Sequence, residues 1–215
     1  MHEKTEKEQD AGAIKSDSVG LERLIFFSDA VFAIAITLLA LDIRLPQGLG
    51  DLNDQALLRE LMSIWPRYLG YVVSFLVLGN FWISHHRKFR YIRRYNSILL
   101  QLNLLLLMAI AFIPFPTAIL SEFGNRTATI FYALSISLAG LLSTLIWLYA
   151  THENRLVDAG MSAAIWRRET RGPLAVIGVF VFSIGVAFIN ADLAKLSWFL
   201  VTVALWLATR IRRNG

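Results

Sequence analysis

Apolar residues run along this chain in long blocks free of charge, and the charged residues are gathered into short blocks between them. Asn96 to Ser121, Thr127 to Thr151 and Gly172 to Ala191 contain no Asp, Glu, Lys or Arg, and neither does Tyr68 to His86. A bilayer core about 30 Å thick is crossed by roughly 20 residues of helix, so each block predicts a membrane span. Leu196 to Thr209 is a shorter block that tilt and snorkelling flanks extend. One more block near the amino end is apolar apart from Asp29. The predicted helices are 24–45, 67–86, 96–119, 127–150, 172–191 and 196–211. The fold class is all-α and integral to a membrane, with six transmembrane helices per subunit filling residues 21–213.

The connecting segments carry their own signals. Residues 1–20 are polar and mixed in sign, which predicts a poorly ordered tail. No apolar run with a small-residue cleavage site follows directly, so the tail does not read as a secretory signal. The stretch Pro46 to Trp65 is long enough for a short surface helix over Asp54 to Ile64. Pro114 and Pro116 fall late in the third span and should kink or end it. Small residues in the fourth span, Ala139, Gly140, Ser143 and Thr144 among them, suit close helix packing.

Composition agrees with the pattern. The chain is 56% hydrophobic and 17% charged, with a mean hydropathy of +0.53, against about a quarter charged in a soluble domain. That excludes a soluble enzyme and, despite a pI near 9.7, a nucleic-acid module. There is no cysteine, which excludes disulfides and thiolate chemistry. The histidine pair His85 and His86 does not predict a metal site, because adjacent residues face different ways on a helix.

Charge then sets orientation. Sixteen of the 21 basic residues fall on one side of the predicted bundle. They lie in the amino-terminal segment, in Arg87 to Arg94, between Arg155 and Arg171, and from Arg210 to Arg213. Positive charge stays inside, which places both termini in the cytoplasm, as an even number of spans requires. The Arg87 to Arg94 cluster is a topology determinant and a lesser candidate for anionic lipid. Asp42, Asp51, Asp54, Glu60, Glu122 and Asp192 make the other side relatively acidic, and salt screens their field within about 8 Å.

An ionisable residue within a span is a candidate functional site, and Asp29 lies in the cytoplasmic third of the first one. The segment reads Arg23, three residues, then Phe27-Ser28-Asp29. This Arg-x-x-x-Phe-Ser-Asp pattern at the start of the first of six spans resembles the signature of the prokaryotic relatives of the endolysosomal potassium channel, the transmembrane protein 175 family. The resemblance implies a homotetramer in the bacterial plasma membrane, a central pore lined by the first helix, potassium and other monovalent cations as permeant ions, and no cofactor. It also implies a non-canonical channel without a Thr-Val-Gly-Tyr-Gly filter, and Gly70-Tyr71 is an isolated pair here.

Helix geometry can be set against that picture. At 100° per residue, Ile34, Thr37, Leu38 and Leu41 fall within a stripe about 100° wide. Phe27 and Ala30 extend it. Asp29 is about 140° from Ile34 and shares its side with Phe32 and Ile36. The stripe is then a pore lining. Rings of Ile34, Leu38 and Leu41 form a hydrophobic constriction that gates by dewetting. Thr37, the one polar residue on it, is the candidate for selectivity or else bonds its own backbone. Asp29 is an anchor inside the subunit that needs donors at its own depth. The candidates are His85 or His86 with one of Asn80, Asn96 and Asn103. Arg23, four residues before Phe27, is positioned to stack on that ring. The competing function is a secondary transporter that uses Asp29 as a proton or sodium site, although no paired repeat is visible. A scaffold or an enzyme has less support, since no catalytic constellation occurs.

Overall fold

Asparagine and serine set the starts of five of the described helices. Asn53, Asn96, Asn125, Ser162 and Asn190 each accept a backbone N–H two or three residues on, at 2.8–3.3 Å. These caps satisfy donors that an apolar environment would leave bare. The computed structural model describes residues 2–45, 53–158 and 160–201, with side chains from residue 19 onward. Its helices are α1 (His2–Leu38), α2 (Asp54–Ser63), α3 (Trp65–Phe89), α4 (Ser97–Phe112), α5 (Pro114–Phe123), α6 (Arg126–Thr151), α7 (Ala163–Ala187) and α8 (Ala191–Ser197). Residues 19–42, 97–123, 126–154 and 163–187 are each long and apolar enough to cross a membrane, and the α2–α3 pair, bent by 47°, is a fifth candidate. The predicted span 196–211 lies mostly outside the described residues.

Three boundaries differ from the sequence expectation. Helix α1 begins at His2, where a tail without regular structure was predicted. Its polar stretch is rich in Glu, Lys, Gln and Ala and holds no proline, which is good helix composition. At its other end α1 stops at Leu38, and Leu39–Asp42 form a 3-10 turn rather than continuing to 45. The third difference is α7, which covers 163–187 instead of 172–191. Charge misled the reading there, because Glu169 is fully enclosed and paired. Its carboxylate meets Arg87 Nε at 3.3 Å and Arg168 Nη2 at 2.7 Å.

The third predicted span breaks at its prolines. Pro114 has no N–H for the carbonyl of Ile110, and the Ile113 N–H takes that carbonyl at 3.2 Å. Gly124, at φ +57°, closes α5 with its N–H on Leu120.

The core lies around α6, which packs against α4, α5 and α7. A methyl group on Gly140 would stand 2.7 Å from Ile177, so glycine lets α6 and α7 close together. Lys88 is buried in the same region, and its ammonium donates to the carbonyl and hydroxyl of Ser143 at 2.8 and 2.9 Å. The loops after α3 and α6 are pinned by an Ile92–Val157 bridge and an Arg93–Asp158 pair at 3.1 Å. These basic residues lie at one end of the bundle, called here the basic end. The 3-10 turn, α2, the start of α3 and α8 lie at the far end.

Candidate functional site

The apolar half of α1 has three sectors. Leu21, Leu24, Ser28, Phe32, Ala35 and Leu39 lie within about 40° of one direction at 100° per residue, and all six are buried. They form the seam against α3 and α4. Asp29 flanks the seam on one side at about 100°. The predicted stripe lies beyond the other side.

A directed series of hydrogen bonds crosses the seam. The buried Ser28 hydroxyl donates to the Leu24 carbonyl at 2.8 Å. The same oxygen accepts from Asn103 Nδ2 at 2.9 Å. Asn103 Oδ1 in turn lies 2.9 Å from His85 Nε2. An amide that donates through Nδ2 accepts through Oδ1, so the proton of the His85 ring sits on Nε2. The ring stacks on Phe89 at 4.1 Å and tilts against Phe32 at 5.6 Å. Three helices are thus joined through side chains that bond one another inside an apolar contact, with His85 Nδ1 left buried and unpartnered.

This network corrects the expected partners of Asp29. His85 and Asn103 do gather at the motif, but Asn103 bonds Ser28 and His85 bonds Asn103. Asp29 is half-buried, and its Oδ1 accepts from the Trp82 indole at 2.8 Å. His86 lies beside Trp82, 5.8 Å between rings, and stays exposed. Asn96 caps α4 and donates to the Tyr149 hydroxyl at 2.8 Å. Asn80 turns back on its own helix, donating to Leu76 at 2.9 Å. Among the described residues the rings beneath guanidinium groups are those of Phe188 and Tyr149, so Arg23 does not stack on Phe27. Sequence reasoning missed Trp82. It also undervalued Ser28, whose place at the seam's centre was available from the spacing.

The stripe is uncovered among the described residues. Phe27 is 52% exposed, Ile34 59%, Leu38 40% and Leu41 56%. The 3-10 turn straightens this edge. Residues three apart eclipse one another in a 3-10 helix, so Leu41 stands over Leu38 instead of about 60° aside. Thr37 is exposed and its hydroxyl donates to the Ile34 carbonyl at 2.9 Å. That bond uses the proton and leaves oxygen lone pairs facing away from the helix. Beyond Leu41, Arg44 Nε donates back to the Leu41 carbonyl at 2.6 Å, and Arg67 of α3 donates to the Arg44 carbonyl.

Comparisons with known proteins agree on the family, while the names of the relatives differ in the ion, potassium or proton. A family model described as endosomal/lysosomal potassium channel TMEM175 matches residues 23–114. A potassium channel of Streptomyces collinus is 39% identical over 177 residues, which is 80% of this chain and 84% of that one. The endosomal/lysosomal proton channel TMEM175 of Gallus gallus is 30% identical over 205 residues, covering 85% of this chain and 38% of that one. The crystal structure of a lysosomal potassium-selective channel TMEM175 homolog from Chamaesiphon minutus superposes with a TM-score of 0.73 at 33% identity. It covers 92% of this chain and all of that chain.

Proposed function

The chain belongs to the TMEM175 family, and from that premise we propose that it is a potassium-preferring cation channel whose pore is lined by the bare edge of α1. One α1 cannot enclose a hole, so several copies must share an axis, and a homotetramer with six spans per subunit is the reading. The observation that carries it is the division of α1 into a seam locked by buried hydrogen bonds and an apolar edge with no cover among the described residues. Rings of Ile34, Leu38 and Leu41 around the axis make a constriction that excludes water when narrow and conducts when widened. Thr37 supplies the ring of oxygens on that path. With neither carbonyl rings nor a charged ring there, the preference for potassium over sodium is modest. The basic end faces the cytoplasm of a bacterial cell. The chain acts without a cofactor.

The second reading, a proton- or sodium-coupled transporter, keeps one observation in its favour. Asp29 is only half-buried and holds a single bond from Trp82 on the described oxygen, which leaves a carboxylate within reach of a proton. Purified protein in a planar bilayer under a potassium gradient separates the two. The channel reading expects a current that reverses near the potassium equilibrium potential. A flux that vanishes without a proton or sodium gradient would remove the channel reading.

A further inference from the structure

Helix α2 has only 10 residues, and none of them is buried. Helices this short are marginal in water and need an apolar face packed on something. The chain provides such a face. Leu57, Leu58, Leu61, Met62 and the following Trp65 fall within about 140° of one another at 100° per residue. They are 38%, 61%, 38%, 71% and 59% exposed. Arg59, Glu60 and Ser63 occupy the other side, with the Ser63 hydroxyl bonded to the Glu60 carbonyl at 2.7 Å. Asp54 sits at the first turn, where the helix dipole favours a carboxylate.

Position names the partner. α2 ends one residue before the membrane helix α3, and the axis bends by 47° between them at Ile64. Its apolar face is continuous with Trp65, a residue type that settles at the membrane boundary. We propose that α2 lies in the lipid surface at the far end of the bundle, with Leu58, Met62 and Trp65 among the acyl chains and Arg59, Glu60 and Ser63 in water. An amphipathic helix in an interface adopts this arrangement. The anchored segment runs directly into Arg67, which holds the Arg44 carbonyl just beyond Leu41, so one hydrogen bond links the lipid-facing segment to the end of the α1 edge. This inference does not depend on which ion the protein conducts.

The chain has no cysteine, so single spin labels can be attached at L58C, M62C and E60C in the full-length protein. In vesicles of phosphatidylcholine and phosphatidylglycerol, the labels at 58 and 62 are expected to collide with dissolved oxygen several-fold more, relative to a water-soluble nickel chelate, than the label at 60. Labels at 58 and 62 that meet the chelate as often as the one at 60 would overturn the leaflet contact. Labels there that are shielded from both reagents would assign the face to a neighbouring protomer, and would overturn it equally. Because E60C changes only the water-facing side, it serves as the folding control.

Discussion

The two long sides of α1 have nearly the same hydrophobicity and opposite fates. Leu24, Phe32 and Leu39 are 5%, 1% and 0% exposed, whereas Ile34 and Leu41 are 59% and 56% exposed. Greasiness does not decide between them, because in a membrane lipid and protein interior are similarly apolar. What separates the sides is one hydroxyl. Ser28 is the polar residue on the seam, and it must find a partner out of water. Asn103 provides it and is itself held by His85. The bare side holds Thr37, whose hydroxyl donates to its own helix as that of Ser28 does but, among the described residues, receives no donor from another helix, so nothing there commits that side to the bundle.

The sharpest way to break this comparison is a matched pair of truncations. Phe32→Ala removes a ring packed at 5.6 Å against His85 inside the seam and should cost about 3–5 kcal/mol. Ile34→Ala, two residues away on the bare edge, should change stability by no more than about 0.5 kcal/mol. Thermal unfolding of the purified protein in detergent measures both. Equal losses would mean that the edge is packed as tightly as the seam in the assembled protein, and that its exposure in one chain says nothing about a water path.

Next in size is Asn103→Leu, which keeps the volume of the seam and removes the polar bridge. His85 then loses its bond while buried, at about 1–3 kcal/mol for an unsatisfied group, and Ser28 keeps only its bond to the Leu24 carbonyl. The same measurement should show a clear drop, and the double variant with Ser28→Ala should recover part of it, since an apolar pair is better than a half-satisfied one. A neutral Asn103→Leu would show that the network follows the packing of α1 rather than directing it.

These contrasts also explain what could be read in advance. The spans follow from charge-free blocks because crossing a bilayer excludes charge, and the break at Pro114 follows from its missing N–H. The seam was readable too, since buried positions recur at helical spacing. None of the donors expected for Asp29 bonds it, for a physical reason. Asp29 is the most expensive group to bury, so attention went to its partners. Yet 100° of rotation puts it on the flank, where Trp82 on α3 reaches it, and no local pattern reports a contact 53 residues away. Lys88 and Glu169 were hidden in the same way. A basic cluster reads as a solvated loop until the tertiary fold shows Lys88 on Ser143 and Glu169 between two arginines. The 3-10 turn at Leu39 has no sequence marker in this chain, so the eclipsing of Leu41 over Leu38 had to come from structure.

Smaller in free energy, but large in current, are the edge truncations. Leu38→Ala and Leu41→Ala remove the eclipsed pair at the far end of the stripe. Stability should stay within about 0.5 kcal/mol, while single-channel conductance in a planar bilayer should rise several-fold as the constriction hydrates. Unchanged conductance in both variants would place the narrowest point elsewhere and return the edge to lipid or to a subunit contact.

The finest test concerns Thr37. Its hydroxyl donates to Ile34, so valine, of the same shape, removes that bond and the ring of outward oxygens without opening space. A weak local bond to the helix backbone contributes little to stability, and unfolding should move by less than about 0.5 kcal/mol. The reversal potential under opposing potassium and sodium gradients is expected to move toward zero, because the proposed tetrameric pore would lose four oxygens that partly replace ion hydration and keep only aliphatic rings. Serine at the same position restores the oxygen and should restore the potential. If Thr37→Val leaves the potential where it was, the ion does not lose its water at this level, and the preference among cations is set by a part of the path that α1 does not supply.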